Sequence, residues 1–185
     1  MVFRFNVEKT IQAIAAFLHF HGSTEMSYLR LLKLLYLADR ESLKEIGRPI
    51  TGDRVAAMKH GPVLSGVYDL IKGEHTAWPL WSQFFRSKGY RVEMVQDPGN
   101  GRLSKYEIGK IRELTERYAE QNEWDLVEIV HRLEEWRRND PGDSSKPISL
   151  DHILEAVGRA ADREAILQDA RDQAAFERLF AEEAG

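Results

Sequence analysis

The sequence predicts a mainly α protein. It reads as a single compact helical domain around a buried central helix. A small two- or three-stranded antiparallel β element and a C-terminal helical tail complete it. Three observations predict this. First, Tyr28–Arg40 is apolar at nearly every position, and a helix that is apolar almost all round is buried almost all round. Second, most of the remaining chain carries apolar stripes at spacings of three and four, the helical period. Third, strand-like alternation is confined to short stretches, near Val55 and from Tyr90 to Met94. The domain spans residues 1–158, and residues 159–185 form the tail.

The elements follow in order. Asn6 suits the N-cap of a helix from Val7, with Ile11, Ile14, Ala15 and Leu18 on one stripe and Gly22 as its stop. A short polar loop leads into the central helix, which Gly47 ends, so an antiparallel helix pair is expected. The run Arg54–Lys59 reads as a short strand. His60-Gly61-Pro62-Val63 reads as the opening of a new helix, with Pro62 at its first position, where a missing N–H costs nothing. That helix continues through Val67, Tyr68 and Ile71 to Gly73. The aromatic run Trp78–Phe85 contains Pro79, which argues against a regular strand. Tyr90, Val92 and Met94 alternate with Arg91 and Glu93 as a half-buried strand, a possible partner for the segment near Val55. Ser104 and Glu107 form a capping box for a helix carrying Ile108, Ile111, Leu114 and Tyr118. A further helix is expected from about Asp125 to Arg137, then a loop at 139–145. Ser149 caps a short helix that Gly158 ends. The Ala-, Glu- and Arg-rich tail should be helical.

The bulk composition narrows the function classes. The chain has 185 residues, is 43% apolar and 30% charged, and carries a formal net charge of -4. It can bury a core, and it does not suit nucleic-acid binding by bulk charge. Cysteine is absent, which rules out disulfides, thiolate metal sites and a cysteine nucleophile. No stretch suits a membrane span, and the first residues lack the design of a signal peptide, so the cytoplasm is the expected compartment.

One constellation goes beyond fold. Lys33-Leu34-Leu35-Tyr36-Leu37-Ala38, then Gly47-Arg48-Pro49-Ile50, then His60-Gly61-Pro62-Val63 with Tyr68, resembles the Panacea domain. This is the SocA-like antitoxin family, also known as phage-associated proteins. His131, Trp136 and Pro147-Ile148-Ser149 resemble its weaker C-terminal signature. The resemblance implies a bacterial or phage antitoxin that binds a cognate protein toxin encoded nearby. One branch of the family acts as an adaptor that hands its toxin to a protease. The resemblance implies no cofactor and no oligomeric state.

No catalytic or metal-binding pattern competes with this. The six histidines show no zinc-helix spacing, and there is no serine elbow or phosphate loop. His60 is the best single candidate for a special role, either holding the turn before Pro62 or, on a hydrolase reading, working with a carboxylate. Asp39 reads as a cap or a surface partner of Arg40 or Lys44, with a buried carboxylate as the alternative. The aromatic run has two readings, as core that plugs the end of the helical layer or as an anchor set at an interface; on the second, partner contacts come from Trp78, Trp81, Phe84 and Phe85, and the tail adds Phe176 and Phe180.

Overall fold

In the computed structural model, residues 3–183 are described, with side chains through Leu179. Helix α1 (Val7–His21) starts where Asn6 Oδ1 accepts from Lys9 N at 3.0 Å. Strand β1 (Glu25–Ser27) leads directly into the central helix α2 (Tyr28–Ile46). Strands β2 (Val55–Met58) and β3 (Gly61–Leu64) form a hairpin, followed by α3 (Ser65–Lys72) and the short α4 (Trp78–Trp81). A second hairpin, β4 (Phe85–Lys88) and β5 (Arg91–Met94), precedes α5 (Lys105–Arg117), whose capping box at Ser104 and Glu107 is formed. The chain ends with α6 (Glu123–His131), α7 (Glu134–Arg138), β6 (Lys146–Ile148), α8 (Leu150–Ala156), a 3₁₀ turn and α9 (Arg163–Glu183). No helix among the described residues is long and apolar enough to cross a membrane.

The core forms around α2, which is buried without interruption from Arg30 to Asp39. Helix α1 lies mainly along α5. The buried faces of α2 meet β3, α5 and α6. Two antiparallel sheets flank this layer, in the orders β1-β5-β4 and β3-β2-β6.

Four expectations are corrected. The segment from Gly61 to Leu64 is a strand, and the helix begins only at Ser65. Pro62 fits because β3 is an edge strand, where a missing N–H breaks no ladder. Strand β5 pairs with β1 and β4, with Met26 and Ser87 both opposite Val92, and not with the segment near Val55. The expected 125–137 helix is two, because Leu133 is extended at ψ 133°. Trp81 and Phe85 are core residues, 1% exposed with ring centroids 4.7 Å apart, so they cannot serve a partner. Within that run Trp78 is exposed, and Phe84 is half-buried against the core.

The first half of α9 docks on the domain through buried Ile166, Leu167 and Ala170, and through an Arg48–Asp169 ion pair at 2.6 Å. Phe176 is exposed, and Phe180 lies outside the described side chains.

Candidate partner-binding groove

Part of the motif, Lys33 and His60 to Val63, meets where α2 passes beneath the β2–β3 hairpin. The hairpin turns at Lys59 and His60, and the chain then enters Gly61 at φ +101°. A Cβ on Gly61 would stand 2.5 Å from Val130 Cγ2 and 3.3 Å from Lys33 Nζ. Only glycine satisfies both the backbone angle and the approach. The hairpin can therefore close onto Lys33, whose ammonium donates to the Pro62 carbonyl at 3.0 Å. Lys33 is fully buried, and this desolvation lowers its pKa to about 7.

Beside Lys33 opens a groove of about 540 Å³, bordered by Tyr28, Lys33, His60, Val63, Tyr68 and Trp124. Its rim is aromatic. Trp124 is 56% exposed and Tyr90, which also borders the groove, is 80% exposed. Tyr90 tilts against Tyr28 at 6.1 Å, and Trp124 meets the His60 ring edge-on at 5.3 Å.

His131 and Trp136 buttress the hairpin from behind. Trp136 Nε1 donates to the Met58 carbonyl at 3.1 Å. His131 Nε2 lies 3.1 Å from the Lys59 carbonyl, and its ring stacks on Trp136 at 4.0 Å. Burial lowers the His131 pKa, which favours the neutral ring in this stack.

The other motif residues hold α2 in place. Leu34 is core. Tyr36 donates its hydroxyl to buried Glu135 at 2.7 Å, and Arg40 Nε reaches the same oxygen at 2.6 Å. Burial, and then Glu135, raise the Tyr36 pKa well above 10. Gly47 caps α2 in the left-handed region at φ +73° and faces Ile166 of α9. The following segment folds back over Asp39, whose carboxylate accepts from Ile50 N at 2.8 Å, Thr51 N at 2.9 Å and the Thr51 hydroxyl. Asp39 is thus a buried anchor, the alternative reading of this carboxylate, and not a cap or a surface partner. Burial raises its pKa to about 7 against those hydrogen bonds. Pro49 borders a second cavity of about 300 Å³ with Tyr36 and Arg40.

These placements divide the sequence-predicted residues. Lys33, His60, Val63 and Tyr68 share the groove, and Gly61 and Pro62 hold the hairpin against Lys33. Tyr36, Gly47 and Ile50 serve the architecture. Tyr36 and Tyr68, which helical neighbours would bring together, instead border different cavities. The groove's Tyr28, Tyr90 and Trp124 went unnoticed. One signal was available for Trp124, which stands off the Leu126, Val127 and Val130 face of its helix.

Residues 31–137 match the family described as Antitoxin SocA-like, Panacea domain. The chain belongs to this family. The matched span begins in α2 and ends in α7, so it includes most of the groove and both buttresses, and it leaves out α1 and α9. No curated protein and no solved structure matches the chain. Among the described residues, no group of three His, Asp or Glu side chains is placed to hold a metal ion.

Proposed function

We propose that this chain is an antitoxin that neutralises a cognate protein toxin by binding it directly, without catalysis, and that the groove over Lys33 is the contact surface. One observation carries the reading. Four residues of the family motif, Lys33, His60, Val63 and Tyr68, line a single groove whose rim exposes Trp124 and Tyr90. Exposed Trp and Tyr are the side chains that most often dominate an interface, each worth about 2 kcal/mol or more when truncated there. His60 meets the Trp124 ring edge-on and orients it at the rim.

The test is genetic first and physical second. The adjacent reading frame is expressed alone and together with this chain, and growth is scored. The two purified proteins are then titrated by calorimetry. Rescue of growth with a stable complex is expected. Rescue without a complex overturns neutralisation by binding. Rescue that depends on a cellular protease favours delivery of the toxin for degradation.

A further inference from the structure

Lys33 is a buried cation without a counter-charge among the described residues. It is 0% exposed, and its one hydrogen bond among the described residues goes to the Pro62 carbonyl. An ammonium has three donors, and lysine is almost never fully buried unless paired. Among the described residues nothing supplies the missing acceptors, yet Lys33 borders an open groove. The other charges at that groove are Lys59, which reaches out to Asp143 at 3.1 Å, and Glu123.

We propose that the groove receives a carboxylate of the partner protein, from Asp, Glu or the chain terminus, which pairs with the Lys33 ammonium. A large apolar side chain beside that carboxylate packs against Tyr68, Tyr90 and Trp124. This rests on the direct-binding reading above and names the chemistry the partner must present. A single uncompensated cation matches a single negative charge. A phosphate would bring nearly two charges to a site that also holds Glu123, in a chain of net charge -4. The aromatic rim and Val63 suit a side chain of the same polypeptide, which sets the carboxylate's depth.

The test is a double-mutant cycle between this chain and the adjacent-frame protein. Lys33→Met keeps the aliphatic stem and removes the charge. It is expected to melt no lower than the parent and to weaken binding about 30-fold or more, the scale of a close charge pair. Each acidic residue of the partner is changed in turn to its amide, and its terminal carboxylate is amidated. One of these changes should weaken the parent complex by a similar factor and the Lys33→Met complex by about threefold or less. Lys33→Gln keeps an N–H donor for the Pro62 carbonyl, and it carries the test if the methionine variant does not fold. Binding by the Lys33 variants within about threefold of the parent overturns the proposal and leaves direct binding standing. So does the absence of any coupled carboxylate. If the parent chain forms no complex, both readings fall. A Lys33-dependent dimer of this chain, indifferent to the adjacent protein, assigns the groove to a second copy and also overturns the proposal.

Discussion

Two lysines of this protein are buried almost equally and live in opposite surroundings. Lys110 on α5 is 4% exposed and touches Glu45 and Glu113 at 2.7 Å and Glu41 at 3.1 Å. Burial alone would lower its pKa, but the three carboxylates outweigh that and raise it. Lys33 on α2 is 0% exposed and has one backbone carbonyl, and its pKa falls. The first cation is saturated inside its own chain and ties α5 to α2. The second is held at a cost in stability, because an unpaired buried charge is among the least favourable groups a core can contain. The difference separates a cation that serves the fold from one kept for something outside it.

The largest effect comes from the glycine that closes the hairpin over Lys33. Gly61→Val adds a side chain at φ +101° and drives it into Val130. Strain and overpacking together should cost about 3 kcal/mol or more, and soluble yield and melting temperature should fall together. A variant that melts normally but no longer neutralises would make this turn a contact and not a scaffold.

The next effect is on the saturated lysine. Lys110→Met leaves three carboxylates facing one another. Since Glu45 and Glu113 are half-exposed, the cost is about 2 kcal/mol, less than for a sealed pair. That corresponds to a melting temperature lower by about 4–8 °C. Lys33→Met should show no such loss. If both methionine variants fall by the same amount, the contrast between the two sites is wrong.

A third test uses pH, because Lys33 and Asp39 titrate with opposite slopes. The folded Asp39 carboxyl holds its proton to about 7 against an ordinary 3.8, so its contribution is present below about 4 and lost as pH rises to about 7. The folded Lys33 ammonium loses its proton near 7 against an ordinary 10.5, so its penalty applies in full below 7 and is relieved as pH rises to about 10.5. Each limb has a slope of about 1.4 kcal/mol per pH unit at most. Denaturation across pH 4–10 should show Asp39→Asn flattening only the lower limb and Lys33→Met only the upper. A wild-type curve parallel to both variants would place both groups in contact with water.

The same pair shows how far the sequence could be read. Helix ends were legible, because Asn6, Ser104, Ser149 and Gly47 carry local chemistry that caps or stops a helix whatever lies around it. The central helix was legible from its unbroken apolar run. The strands β1, β4 and β6 were not, since three or four residues hold no period and their pairing depends on distant segments. Pro62 suits a helix start and an edge strand alike, and only the sheet order decides between them. At the site, Lys33 stood out within the motif, but its state did not. Its partner is a backbone carbonyl at Pro62, and carbonyls leave no mark in a sequence. Glu135 was equally silent as the partner of Tyr36 and Arg40, because a glutamate on a helix usually faces water.

The smallest expected effect tests whether the groove's rim is surface or core. Trp124 is more than half exposed and meets His60 only edge-on, and His60 has no hydrogen bond among the described residues. Removing either ring deprives the fold of little. Trp124→Ala and His60→Gln should each change stability by about 0.5 kcal/mol or less, the range of ordinary surface substitutions. Binding should separate them. The indole offers a large apolar face to a partner, and its loss should weaken the complex about tenfold or more. The imidazole serves mainly to orient that indole, so its replacement should cost about threefold or less. Tm by calorimetry and Kd from the same preparations decide the matter. If Trp124→Ala unfolds the chain, the rim is part of the core, and the groove closes in solution. If it leaves both Tm and Kd unchanged, the partner docks elsewhere, and exposed Trp78 becomes the next residue to truncate.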